Sequence, residues 1–139
     1  MTEKTRILIA EDHAVMRKNI AALIATQSDM VVVAMAVNGE EAVQLTEQFQ
    51  PDVIVLDIYM PFMDGLEAIK KIRETQSQVL IVIMSLYANR QLVENALRLG
   101  AQGYVLKPQA TQDLLPAIRS VRQNKTFLSP ALFTLFSDA

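Results

Sequence analysis

Cysteine is absent from the 139 residues. There is consequently no disulfide framework, no thiolate metal site and no cysteine nucleophile. No apolar run approaches the ~20 residues needed to cross a membrane, and residues 1–6 lack the apolar segment of a secretory signal. Neither sign of charge dominates: 13 Lys plus Arg face 15 Asp plus Glu, a formal net charge of −2. That balance argues against broad electrostatic binding to nucleic acid, so no direct DNA contact is expected of this chain. Disorder is excluded as well, because 51% of the residues are apolar. The length suits one ordinary domain with a real core. These exclusions leave a soluble, cytoplasmic, membrane-free protein as the expectation.

What is present is a regular alternation. Five short apolar runs rich in β-branched residues lie at 6–10, 31–36, 53–56, 79–84 and 104–106. Continuous rather than alternating runs are what strands look like when helices cover both faces of a parallel sheet. Between them the apolar residues take helical spacing: Ile20, Leu23 and Ile24; Ala42, Leu45 and Phe49; Leu66, Ile69 and Ile72; Leu92, Ala96 and Leu99; Leu114, Ile118 and Val121. A βα unit repeated five times with right-handed crossovers predicts an α/β, doubly wound three-layer sandwich around a five-stranded parallel sheet.

Ligands of such a sheet sit beyond the carboxyl ends of its strands. The residues that follow the runs are therefore the candidates: Glu11 and Asp12, then Asp57, Ser85 and Lys107. Three carboxylates in one pocket repel one another unless a cation or proton intervenes. All are oxygen donors, which favours Mg²⁺ or Mn²⁺ over zinc. Acids, a hard cation, a lysine and a hydroxyl together can hold a phosphoryl group, with one carboxylate free to act as nucleophile.

These residues carry a family likeness. Asp57-Ile58-Tyr59-Met60-Pro61-Phe62-Met63-Asp64-Gly65 resembles the phosphoacceptor segment of the receiver domain of bacterial two-component response regulators. Glu11-Asp12, Ser85, Tyr104 and Lys107-Pro108 match the rest of that pattern in order and spacing, and the likeness extends over about residues 5–124. The stretches at 99–107 and 114–119 and Leu128-Ser129-Pro130 resemble the NarL/FixJ (LuxR-type) subfamily. The resemblance implies a flavodoxin-like sheet of order 2-1-3-4-5. It implies that Asp57 accepts a phosphoryl group from a sensor histidine kinase and that Asp12 and Asp57 ligate Mg²⁺ directly. Glu11 would do so through water, and the main-chain carbonyl of Tyr59 would complete the set. Lys107 would pair with the phosphoryl group, Ser85 would swing toward it, and Tyr104 would turn inward to change the surface of the fourth helix, fifth strand and fifth helix. The Lys107-Pro108 bond would be cis. Chemistry would be confined to self-phosphorylation and autodephosphorylation at Asp57 rather than turnover of a separate substrate.

Residues 1–124 are thus read as a receiver domain, and 125–139 as an apolar tail or linker forming a short helix from Pro130. In the subsidiary family Leu128-Ser129-Pro130 begins the link to a helix-turn-helix DNA-binding domain, and the chain ends too early to hold one. The expectation is a receiver cut from a transcription regulator, with a single-domain regulator as the other reading. The apolar tail should dock on its own domain or on a second copy, which makes a homodimer a candidate assembly. Leu86 stands where the family has Ala or Gly, and would narrow the phosphodonor's approach or face away. Tyr59 and Tyr87 occupy the positions that tune dephosphorylation in the family, and are either a shield against water or plain surface aromatics. His13, beside the acidic pair, is read as a solvated residue at the start of the first helix.

Three other functions fit the sequence less well. A phosphate-independent pseudo-receiver acting as a protein-binding module usually lacks an acid or the lysine, and here all are present. A haloacid-dehalogenase-type phosphatase needs a second Asp two residues after its nucleophile, where this chain has Tyr59. A nucleotide- or flavin-binding sheet needs a Gly- or hydroxyl-rich loop after the first strand, where this chain has Glu11-Asp12-His13.

Overall fold

The computed structural model describes residues 3–136. Its order is β1 (Thr5–Ala10), α1 (Ala14–Ala25), β2 (Met30–Ala36), α2 (Gly39–Phe49), β3 (Val53–Asp57), α3 (Gly65–Thr75), β4 (Leu80–Ser85), α4 (Arg90–Leu99), β5 (Gly103–Leu106), α5 (Ala110–Arg122) and β6 (Phe127–Leu128), closed by a 3₁₀ helix at Pro130–Leu135. All strand pairs are parallel and the order is β2-β1-β3-β4-β5-β6.

The five-stranded sheet expected from the apolar runs is therefore corrected to six strands. β6 is only two residues long, too short to register as a run. It forms because β5 would otherwise leave an open edge. Phe127 N donates to Gln102 O and Ser129 N to Tyr104 O, each at 3.0 Å. A second correction concerns Lys107-Pro108: among the described residues every peptide bond is trans, the form that even an X-Pro bond prefers.

Side chains alternate across each strand, so one continuous apolar run feeds two core layers. Leu8, Ile54, Leu56, Ile81 and Ile83 meet Ala42 of α2, Ala68, Ile69 and Ile72 of α3, and Val93 and Ala96 of α4. Ile7, Ile9, Val53, Val55, Val82 and Met84 meet Ile20 and Ile24 of α1 and Leu114, Ile118 and Val121 of α5. Each Val, Leu, Ile or Met among these contributes roughly 1.5–3 kcal/mol when fully buried. Asn38, Asp64 and Asn89 cap α2, α3 and α4, each side-chain oxygen accepting from the backbone N–H three residues on. The Asp64 cap ties the start of α3 to the loop that follows Asp57.

The chain leaves β1 toward β2 on one side and later places β3 on the other. A crevice opens between β1 and β3 at their carboxyl ends, where a doubly wound sheet holds its ligand. No helix among the described residues is long and apolar enough to cross a membrane. The tail folds back on its own domain: Leu132 is fully buried in the core layer of α2, α3 and α4, and Leu128, Leu135 and Phe136 pack against the same layer. Residues 137–139 of the predicted tail lie outside the described residues.

Candidate phosphoacceptor site

Glu11, Asp12 and His13 follow β1, Asp57 ends β3, Ser85 ends β4 and Lys107 follows β5. The crevice gathers Glu11, Asp12, His13, Asp57 and Lys107, whereas the Ser85 hydroxyl is engaged with the turn after β4. One potential ligand atom from each of Glu11, Asp12, His13 and Asp57 lies within 4.8 Å of the others. Lys107 Nζ stands 2.7 Å from Glu11 Oε1 and 3.1 Å from Asp57 Oδ2. Glu11 is almost wholly buried and Asp57 nearly so. Asp12 Oδ1 is buried yet accepts no hydrogen bond from any described residue, although His13 Nδ1 is 3.3 Å away.

The electrostatics follow from that packing. Burial, then the charge of Glu11, pushes the Asp57 carboxyl up to about 6 despite the opposing Lys107. Burial works on Glu11 in the same sense, but hydrogen bonds from Lys107 and the His13 backbone hold it below the usual carboxylate range. Burial opposes the Lys107 charge, yet the hydrogen bond to Glu11 and the charge of Asp57 hold it above the ordinary lysine value. One ammonium thus reaches two of the three acids, and the site carries surplus negative charge. An all-oxygen donor set with a bare buried carboxylate oxygen fits a hard divalent cation.

Arg17 and Gly65 belong to the site although the sequence pattern does not single them out in that role. Arg17 Nη1 donates from α1 to the carbonyls of Glu11 at 2.8 Å and Asp12 at 3.4 Å, fixing the turn that carries the acids. Their spacing of five or six residues across a helix start is the only sequence signal for that contact. Gly65 brings the start of α3 against the acceptor strand: a Cβ there would lie 2.5 Å from Asp57 O and 2.7 Å from the Ile58 Cα. Only glycine permits that approach.

Ser85 is buried, and its Oγ accepts from Tyr87 N at 3.0 Å, holding the turn after β4. Tyr104 is fully buried and its hydroxyl donates to Tyr87 O at 2.8 Å. This is the inward position that the family likeness associates with switching. Burial holds the Tyr104 hydroxyl above its ordinary pKa, a hydrogen bond with Ser85 partly offsetting it.

The mouth is aromatic and apolar. A cavity of about 150 Å³ is lined by His13, Asp57, Tyr59, Leu86, Tyr87 and Lys107. The Tyr59 and Tyr87 rings meet edge to face at 5.0 Å. Leu86 is 64% exposed and stands at this opening rather than facing into the core. His13 caps the start of α1 without a side-chain cap bond and is largely exposed.

The sequence profile of the response regulator receiver domain matches residues 7–119. The chain belongs to that family. It is 39% identical over 130 residues to the nitrate/nitrite response regulator protein NarL of Escherichia coli (strain K12), covering 94% of this chain and 60% of that protein. It is 38% identical over 130 residues to the oxygen regulatory protein NreC of Staphylococcus carnosus (strain TM300), covering 93% and 60%. Among solved structures, a LuxR-family two-component response regulator from Aurantimonas sp. SI85-9A1 superposes with a TM-score of 0.91 at 29% identity, covering 95% and 94% of the two chains. The receiver of the putative regulator NarL from Mycobacterium tuberculosis gives 0.84 at 27% identity, covering 88% and 99%. The chain spans about 60% of the length of these curated relatives. It is a receiver domain of the NarL/LuxR type, a class that works as a phosphorylation switch.

Proposed function

We propose that Asp57 is the phosphoacceptor and that a sensor histidine kinase's phosphohistidine is the donor. The observation that carries this reading is the junction of three strand ends, where Lys107 Nζ bridges Glu11 and Asp57 beside the bare Oδ1 of Asp12. In the transfer, a carboxylate oxygen of Asp57 bonds to phosphorus as the P–N bond breaks, and the imidazole leaves with a proton from solvent. Lys107 moves from carboxylate partner to partner of the incoming phosphoryl oxygens. Ser85 supplies a hydroxyl donor from β4, and its reorientation releases Tyr87 N. Glu11, Asp12, Asp57 and the main-chain carbonyl of Tyr59 would hold Mg²⁺ or Mn²⁺, which offsets charge on the acceptor and the phosphoryl oxygens when bound. Leu86 narrows the donor's approach, and the Tyr59 and Tyr87 rings at the same mouth screen the acceptor from water.

The output would be gene regulation through a DNA-binding domain, as the likeness to the NarL/FixJ subfamily implies. Self-phosphorylation and autodephosphorylation at Asp57 would be the chain's only chemistry. The test is the intact-protein mass after incubation with Mg²⁺ and a small phosphodonor, with Asp57→Asn alongside. One added phosphoryl group in the wild type alone supports the reading. No adduct, and no beryllofluoride binding, would leave a phosphate-independent protein-binding module in its place.

A further inference from the structure

The profile match ends at residue 119, yet residues 127–136 touch the moving parts of the switch from outside it. Three contacts carry the argument. Ser129 is fully buried, and its hydroxyl does a strand's work: it accepts from Leu106 N at 3.0 Å while its own N–H donates to Tyr104 O at 3.0 Å. Those two bonds fix both ends of the short stretch that runs directly into Lys107. On the other side β4 holds the same stretch, with Ile83 opposite Tyr104 and Ser85 opposite Leu106.

The second contact is apolar. Leu128 is the register partner of Tyr104, and Leu132 shares its buried cluster. Tyr104 is therefore held from two sides, by its hydroxyl bond to the loop after β4 and by its pairing with the tail. The third contact reaches the start of α4: Arg90 Nη1 approaches Leu135 O at 3.4 Å, and the guanidinium lies 5.4 Å from the centre of the Phe136 ring. Asp57's surroundings and the tail are thus joined through β5 on one path and through the Tyr87–Arg90 loop on the other.

We propose that Ser129 and Leu132 are positioning residues of the switch, holding Tyr104 inward and Lys107 in register for the phosphoryl group. This rests on the reading of Asp57 as phosphoacceptor. If inward Tyr104 and phosphoryl binding favour the same arrangement, loosening the tail lowers affinity for a phosphoryl mimic in proportion to the lost inward population. Removing the Ser129 hydroxyl orphans a buried N–H, so the expected loss is about fivefold.

The experiment uses the full chain with fluorotyrosine at its three tyrosines, Tyr59→Phe and Tyr87→Phe assigning the Tyr104 resonance. Wild type, Ser129→Ala, Leu132→Ala and the exposed-site control Phe133→Ala are compared by ¹⁹F spectrum, by beryllofluoride affinity at saturating Mg²⁺, and by Mg²⁺ affinity alone. Ser129→Ala and Leu132→Ala should move the Tyr104 signal toward a solvated ring and weaken beryllofluoride about fivefold, with Mg²⁺ affinity and Phe133→Ala unchanged. A lower melting temperature with the Tyr104 signal and beryllofluoride affinity of wild type would overturn the proposal, since the tail would then be mere ballast. Should Leu132→Ala unfold the tail outright, Ser129→Ala carries the test by itself. If wild type binds no beryllofluoride, the phosphoacceptor reading fails. The Tyr104 signal in Ser129→Ala then decides the tail's hold on the ring: unchanged refutes it, shifted supports it.

Discussion

Replacing Asp57 by Asn should stabilise the metal-free fold. In the native crevice this carboxyl is nearly buried and faces Glu11, and it is pushed up to about 6. In an unfolded chain an aspartate titrates near 3.9, roughly two units lower. An acid whose folded pKa is raised withdraws stability as pH climbs from about 4 through 6, and the penalty is complete above that. Two units correspond to about 3 kcal/mol, net of the part that the Lys107 contact offsets. Asparagine keeps an oxygen for Lys107 Nζ, now 3.1 Å from Oδ2, and Lys107 retains Glu11 at 2.7 Å. The net gain expected is therefore ~1–3 kcal/mol, or about 3–9 °C in melting temperature for a domain of this size. Urea unfolding followed by far-ultraviolet circular dichroism, in EDTA at pH 7.5 and at pH 4, makes the measurement. The variant should unfold at higher urea at pH 7.5 and match wild type at pH 4, where both carry a neutral group. Equal or lower stability at pH 7.5 would refute the picture of surplus negative charge, and so would a gain that persisted at pH 4.

Millimolar Mg²⁺ should raise the melting temperature of wild type and raise that of Asp12→Ala much less, because the bare buried oxygen is then gone; equal shifts in differential scanning calorimetry would place the cation elsewhere. Gly65→Ala forces a methyl against Asp57 O and Ile58, so denaturant titration should show a loss of ~1–3 kcal/mol together with slower phosphorylation. Leu86→Ala removes a side chain that is 64% exposed, so the fold should keep its stability within ~0.5 kcal/mol. In time-resolved intact mass, the same variant should take up phosphoryl from a small donor faster than wild type. Arg73 reaches the carbonyls of Val79 and Gly100, each at 2.6 Å, and burial lowers its pKa. Arg73→Ala should therefore cost ~2–4 kcal/mol in the same titration, through buried carbonyls left without a donor.

Much of the architecture was legible because it follows from local rules. Continuous, short β-branched runs such as 53–56 and 79–84 read as strands covered on both faces, and their neighbours at 3.6-residue spacing are the helices that cover them. Once a parallel sheet is read, the residue after each strand is placed by topology alone, which is why Glu11, Asp12, Asp57, Ser85 and Lys107 could be named together. The two-residue β6 was not legible, since Phe127 and Leu128 carry no periodicity and pair only because β5 leaves an edge beside them. Arg17 and Arg73 were missed for a related reason: both serve carbonyls, and carbonyls leave no mark in a sequence.

The sequence by itself therefore determined the alternation of strands and helices and the acids and lysine at the strand ends. Tertiary structure alone decided that one ammonium bridges Glu11 and Asp57, that Asp57 is pushed upward while Glu11 is held down, and that the strand carrying Tyr104 pairs with a tail from the far end of the chain. Periodicity records which face of an element avoids water, a property of neighbours in the chain. Charge coupling and edge pairing depend on distances between residues some 25 to 95 positions apart, and only the packed fold sets those.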